Sequence, residues 1–319
     1  MRFTTVVIFF LLIFNGFFSV GARSAHAADV VDEDTCYFLK DKEREYLKYD
    51  CSEIRVAGRS QGNHELDCTV IRPWSLGEEP NPRDLPYPVI GWANGWDQGN
   101  VIGEYTTLGY KLGLIEWALD GPYIVVAANQ WSVQESDVLA CVQWVIENYP
   151  EKADDSRIGL AGHSQGGGAV IKAGDGWTSG PDITAVVAMN PYGPAWVNPE
   201  NQDGPLMLLG GTEDTTTPTP SFQEVFDAIS SPGAGGGLLA ELDGGTHNSE
   251  AWGVHEDGNE TTMGWENAQE VNFGRYQNVT ELWWRFHLND STQSGRQLKR
   301  LLDREIWDTQ YAFTDDFEL

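Results

Sequence analysis

Three side chains of this 319-residue chain could together activate a hydroxyl group: Ser164, Asp214 and His247. A serine hydroxyl is a weak nucleophile unless an imidazole accepts its proton, and the imidazole needs a carboxylate to hold its tautomer. Ser164 stands in Gly162-His163-Ser164-Gln165-Gly166, between the apolar run that ends at residue 161 and the small-residue stretch "GGGAVIKAG". A turn tight enough to lift a serine clear of a sheet strains the backbone. The flanking glycines remove side chains that would collide with the neighbouring strand and helix. The N-terminus of the following helix favours negative charge developing beside the hydroxyl. A glycine-rich turn between strand and helix also suits phosphate, so these five residues alone leave two chemistries open.

An elbow of this kind implies the chain order serine, acid, histidine, the acid after a later strand and the histidine after the next. The segment "PLMLLGGTEDTTTP" sets Asp214 just beyond an apolar run. Glu213, Asp203 and Asp243 compete with it, and turn capping is the alternative role for Asp214 itself. In "GLLAELDGGTHNSEAW", His247 lies in a glycine-rich loop able to return over the sheet, with His255 as its rival. His163 is inside the elbow and badly directed for its neighbour's hydroxyl. His287 falls between Phe286 and Leu288 in a helix, and His64 precedes the segment. The oxyanion formed when Ser164 attacks needs fixed donors, each worth about 3 kcal/mol. The expected pair is the backbone N–H of Gln165 and that of Gly95 in "ANGWDQG". Trp96 is the alternative to Gly95, and a plain tight turn at Asn94-Gly95 is the other reading. No Cys-x-x-Cys or histidine-rich cluster suggests a metal site, and no cofactor is expected.

These residues need a frame. "ELDCTVIRP", "YPVIGWANG", "YIVVAANQ", "RIGLAGHS", "ITAVVAMNP", "PLMLLGGTED" and "GLLAELDGG" read as strands. "IGEYTTLGYKLGLIEWAL", "SFQEVFDAIS" and a last helix "VTELWWRFHLND" fall between or after them. In "VQESDVLACVQWVIENY", Val138, Val142, Val145, Ile146 and Tyr149 recur at helical spacing. Such alternation predicts a mostly parallel sheet with helices on both faces, its functional groups at the carboxyl ends of the strands. No repeat or linker divides it, so residues 28–319 are expected to form one catalytic domain.

With those pieces in order, the chain resembles the polyesterase–lipase–cutinase branch of the α/β-hydrolase superfamily, which holds the bacterial cutinases and poly(ethylene terephthalate) hydrolases. "GHSQGGG" matches that branch's elbow, and Asp214-Thr215-Thr216-Thr217-Pro218 matches its acid segment. "GGTHN" matches its histidine turn, and "LWWRFHLND" its aromatic-rich closing helix. The resemblance runs from about residue 66 to 292. It implies the α/β-hydrolase fold and a serine esterase with the catalytic set Ser164, Asp214 and His247. It also implies an acyl pocket at Gly95, flanked by Trp92 and Trp96, with Tyr192 of "MNPYGP" as an aromatic wall. A packed loop aromatic is the other reading of Tyr192. Three departures stand out. Gln165 replaces the frequent methionine, and no cysteine follows Cys141 to make the branch's C-terminal disulfide. About thirty residues, 248–277, separate His247 from the last helix; they carry Trp252 and Trp265 and are expected to form a lid or rim.

Arg2, a long apolar run and Ala25-His26-Ala27 read as a signal peptide over residues 1–27, with an uncleaved anchor as the alternative. No second such run occurs, and the acidic C-terminus carries no lipid-anchor signal, so no membrane insertion is expected after cleavage. The formal charge of −28, made more negative by loss of Arg2 and Arg23, argues against nucleic acid and anionic membranes as partners. Cys36, Cys51, Cys68 and Cys141 suit two disulfides in an oxidising compartment. Three pairings are open, with Cys36–Cys51 preferred because it brackets one short segment. Asn259, Asn278 and Asn289 each begin a glycosylation acceptor.

The expectation is a secreted, monomeric serine carboxylic ester hydrolase of the cutinase, lipase or polyesterase kind. Thirteen tryptophans hint at an apolar or polymeric ester as substrate. An acetyl xylan-type carbohydrate esterase or a chlorophyllase-like hydrolase would use the same trio with a different cleft. A non-catalytic binding module is the reading from another class.

Overall fold

Aliphatic runs without polar alternation, such as "IVVAA" and "LMLLGG", can be satisfied only by a strand covered on both faces. In the computed structural model of the protein they lie in the middle of a ten-stranded sheet. The structure describes residues 36–39, 47–57, 65–75, 85–95, 110–130, 132–174, 181–193, 204–229, 236–249, 253–254, 260–261 and 268–312.

The strands are β1 (Cys36–Leu39), β2 (Leu47–Ala57), β3 (Glu65–Ser75), β4 (Tyr87–Ala93), β5 (Ile124–Ala128), β6 (Ala153–His163), β7 (Ala185–Met189), β8 (Leu206–Gly211) and β9 (Gly237–Leu242). A two-stranded ribbon follows, β10 (Gly253–Val254) with β11 (Glu260–Thr261), and β12 (Trp307–Ala312) comes last. The large sheet runs β1-β2-β3-β5-β4-β6-β7-β8-β9-β12. From β5 to β9 in that order every pairing is parallel, whereas β1, β2 and β3 on one margin and β12 on the other are antiparallel.

Helices α1 (Lys111–Asp120), α5 (Ala268–His287) and α6 (Thr292–Leu302) cover one face. Helices α2 (Glu135–Asn148), α3 (Gln165–Gly174) and α4 (Pro220–Ile229) cover the other. Alternation along a strand divides the side chains between the two cores. In β4, Ile90 and Trp92 join the first, while Val89 and Ala93 join the second. The parallel sheet with helices on both faces is therefore as the sequence predicts. Val138, Val142 and Val145 are fully buried on α2 as their spacing requires.

The register sets the site. Ala93 pairs with Gly162, His163 with Met189, and Gly211 with Leu242, so the five neighbouring strands β4, β6, β7, β8 and β9 stop at one edge. The residues just past those ends are the candidate site.

The segment after His247 departs from the expectation. The helix expected over 279–290 begins at Ala268, so 268–277 are helical rather than part of an insertion. Polar residues and Gly274 mask its apolar spacing, but Asn272 is buried and donates to the Gly244 carbonyl at 2.9 Å. It is not the last helix. α6 follows, capped by Ser291 and burying Leu298 and Leu302, and then β12 pairs with β9. Residues 1–27, Trp252 and Trp265 lie outside the described residues.

Cys68 of β3 is joined to Cys141 of α2 across 73 residues, while the side chains of Cys36 and Cys51 lie outside the described residues. A cross-link closing a loop of that length contributes about 2–4 kcal/mol, chiefly by restricting the unfolded chain. Replacing both Cys68 and Cys141 by alanine should lower stability by about that amount, read as a fall in the urea unfolding midpoint. An unchanged midpoint would contradict this role for the bond.

Candidate active site

Ser164 follows the last residue of β6 and precedes the first of α3, at φ 53°, a left-handed backbone that non-glycine residues adopt at a cost. Its amide donates to the Met189 carbonyl at 2.9 Å, and its carbonyl accepts from the Tyr192 and Gly168 amides. The glycines are required by contact. A Cβ on Gly162 would strike the Gly166 carbonyl, and one on Gly166 would strike the backbone of Ala93 and Asn94. The elbow is thus wedged between β4 and β7, and its hydroxyl is held at the sheet edge.

His247 arrives from the loop after β9 and sets Nε2 3.1 Å from Ser164 Oγ. Its Nδ1 lies 2.8 Å from Asp214 Oδ2 and 3.0 Å from Thr217 Oγ1. Asp214, in the turn after β8, is 4 % exposed. Its Oδ1 accepts the amides of Thr216 at 2.7 Å and Thr217 at 2.8 Å, and the Thr217 hydroxyl reaches Oδ2 at 2.8 Å. Burial by itself would raise this carboxyl. The hydrogen bonds from His247 and Thr217 outweigh burial and hold it lowered to about 2, so it stays ionised opposite the imidazole. The arrangement can move a proton from Ser164 to His247 and stabilise the cation that results.

The competitors are elsewhere. Glu213 and Asp243 are exposed, and Glu213 contributes its amide, at 2.8 Å, to the Gly245 carbonyl. His287 lies against Trp283 and Phe286 in α5, where burial lowers its imidazole to about 3. Asp203, His64 and His255 lie outside the described residues.

Gln165 opens α3, so its amide belongs to the first turn, which has no carbonyl partner within the helix. Its side chain donates to Ser132 Oγ at 2.8 Å, in the loop after β5. Gly95 lies beside Ser164: a Cβ there would come within 3.2 Å of Ser164 Cβ and 3.1 Å of the Tyr110 hydroxyl. Asn94 underpins it, donating to the Ala128 carbonyl at 3.0 Å and accepting the indole N–H of Trp92 at 2.7 Å.

Trp92 is a correction. Expected at the cleft, it is 2 % exposed, with Tyr110 and Trp117 against its ring. Strand alternation is the reason: Ala93 and Gly95 follow it at the edge, and Trp92 faces the helical core beneath. Trp96 lies outside the described residues. Tyr192 is 60 % exposed and directly follows the bend that braces Ser164.

The sequence reading missed Thr217, whose hydroxyl also reaches the Asn190 carbonyl at 2.9 Å, and Asn190, which donates to the His247 carbonyl at 3.2 Å. Thr217 was visible within the acid segment as the third residue after Asp214. Asn190 was visible only as the polar residue ending an apolar strand.

No protein-family model matches the chain, and no curated protein matches it in sequence. Solved structures do match in shape. A puromycin-hydrolyzing peptidase from Mycobacterium tuberculosis superposes with TM-score 0.52 and 13 % identity, over 75 % of this chain and 39 % of that one. An acylaminoacyl peptidase from Pyrococcus horikoshii gives 0.55 and 15 %, over 80 % and 46 %. A puromycin hydrolase gives 0.53 and 13 %, over 80 % and 44 %. The chain spans less than half the length of these proteins. With its sheet order and elbow, the likeness establishes the α/β-hydrolase fold.

Because folding lowers the Asp214 carboxyl from 3.8, the unfolded chain takes up this proton first as pH falls. The stability it contributes is therefore complete above about pH 4 and is lost as pH drops towards 2. The variant Asp214→Asn should be less stable than wild type at neutral pH, by a margin that narrows through that window. Urea midpoints of the two proteins between pH 7 and 2 would check this; a margin independent of pH would contradict it.

Proposed function

We propose that the protein is a serine hydrolase working through an acyl-enzyme on Ser164. The observation that carries the reading is the hydrogen-bonded series Ser164 Oγ, His247 Nε2, His247 Nδ1 and Asp214 Oδ2, with gaps of 3.1 and 2.8 Å. Ser164 Oγ attacks the acyl carbonyl carbon as its proton passes to His247 Nε2. The carbonyl electrons move onto oxygen, where the backbone N–H groups of Gln165 and Gly95 receive them. Collapse expels the leaving group, which takes the proton from His247, and Ser164 keeps the acyl group. Water then attacks with His247 as base, releasing the acid and restoring the hydroxyl.

The substrate class we favour is a carboxylic ester, on the strength of the likeness of the elbow, acid segment and histidine turn to the cutinase and polyesterase branch. Tyr192, exposed beside the elbow, is suited to an apolar acyl or polymer surface. Cleavage of peptide or aminoacyl amides is the second reading, favoured by the names of the structural neighbours, which are peptidases and a puromycin hydrolase. Ester and amide share the steps above and differ in the leaving group that His247 must protonate. We further propose a secreted monomer of residues 28–319, needing no cofactor; the Cys68–Cys141 bond fits an oxidising compartment.

Purified protein should release nitrophenol from short-chain nitrophenyl esters, and Ser164→Ala should lower kcat by about 10⁶-fold. Unaltered turnover by a folded Ser164→Ala protein would overturn the proposal. Running aminoacyl nitroanilides beside the esters decides the substrate class: faster release from the anilides would replace the ester reading with the peptidase one.

A further inference from the structure

His163 has no step in the chemistry above, yet it is only 2 % exposed and lies beside both groups that must meet, next to Ser164 in the chain and against the His247 ring. Its Nε2 is 2.7 Å from the backbone carbonyl of His247, and its Nδ1 is 2.5 Å from the Tyr110 hydroxyl. The partners assign the protons. A carbonyl has none to give, so Nε2 carries one; in the neutral ring Nδ1 is then bare and accepts the Tyr110 O–H. The two imidazoles lie with ring centres 4.8 Å apart. Asn190 supplies the second donor to the same carbonyl, at 3.2 Å, so both lone pairs of that oxygen are engaged.

The connectivity closes on itself. His163 is bonded through the chain to Ser164, its side chain holds the main chain of His247, and the side chain of His247 returns to Ser164 Oγ. The gap between hydroxyl and base is therefore set by the short ring of His163, Ser164 and His247, with Asn190 as a second tie, rather than by the whole loop after β9. Tyr110, which immediately precedes α1, fixes the imidazole from its other side.

We propose that His163 is a positioning residue. It acts through the carbonyl of His247 to hold the base at its distance from Ser164, and it does so as the Nε2–H tautomer. This rests on the serine hydrolase reading. It makes a specific demand: a donor near the Nε2 position, not a ring and not a charge.

Labelling and turnover rates, melting and a spectrum together test it. His163→Phe keeps the bulk and removes the donor. It should slow fluorophosphonate labelling of Ser164 and lower kcat for a nitrophenyl ester by about 10²-fold, the cost of a misplaced base, with KM nearly unchanged. His163→Gln restores an N–H at the Nε2 position and should recover most of the rate. Tyr110→Phe leaves the donor in place and should fall between wild type and His163→Phe. Thermal melting of each variant separates rate loss from unfolding. Wild-type rates in His163→Phe, or equal losses in His163→Phe and His163→Gln, would overturn the inference. Spectra of ¹⁵N-histidine-labelled protein, taken on wild type and on Ser164→Ala, read the tautomer without any activity. Protonation of His163 on Nδ1 alone overturns the inference whatever the rates. Wild type that resists the probe overturns the functional reading instead, and the spectrum still tests the contact.

Discussion

A carboxylate removed from water must be surrounded by donors, because a buried charge left unmet costs far more than any single contact returns. Asp214 meets that condition with two amides, a hydroxyl and an imidazole N–H. Three of those donors, both amides and the hydroxyl, come from the tight turn that follows it, which therefore cannot open without exposing the carboxylate's need. The imidazole comes from a different loop, which is thereby pulled down onto the sheet. Glu213, next in the chain, strengthens the same union through its amide to Gly245. Local satisfaction of one side chain thus joins the ends of β8 and β9.

The sheet explains why further support is needed. Ser164 leaves β6, Asn190 leaves β7, Asp214 leaves β8 and His247 comes from beyond β9. Strands are about 4.8 Å apart, so the base must travel back roughly 14 Å across two strand ends to reach the nucleophile. A loop making that journey would leave its own polar backbone unmatched over an apolar sheet. Asn190, at the middle of the crossing, donates to the His247 carbonyl from below, and its φ of 42° matches the bend at the end of β7. The crossing loop is tied at its root as well, where Asn272 of α5 holds Gly244.

What could be read in the chain was whatever follows from order and periodicity. The elbow glycines, the acid past an apolar run and the histidine in a glycine-rich loop are local patterns with fixed sequence. The strands of the parallel centre are continuous apolar runs, and they too were legible. Trp92 was misread because adjacency in sequence to Gly95 says nothing of which face a strand residue takes. Asn190 and Tyr110 act through contacts 57 and 53 residues away, and Thr217 reaches Asn190 across 27, so nothing near them in sequence declares these partners. Of the antiparallel margins β3 was legible as "ELDCTVIRP", while β1, β2 and β12 were missed for a related reason. β12 is paired on one side, alternates in character and is preceded by a strongly polar stretch. Amphipathic α6 hides its apolar stripe among arginines, lysine and glutamines.

The bond between β3 and α2 also has a mechanical meaning. Tension applied from the amino end would unzip first β1 from β2 and then β2 from β3, one hydrogen-bond pair at a time, since each is by then gripped along a single neighbour. Peeling then arrests at Cys68, which is anchored to a helix lying across the sheet. Everything between the two sulfurs, including β4 and the turn at Gly95, is sealed in a covalent ring. An end of this molecule can fray a long way before the strain reaches the serine.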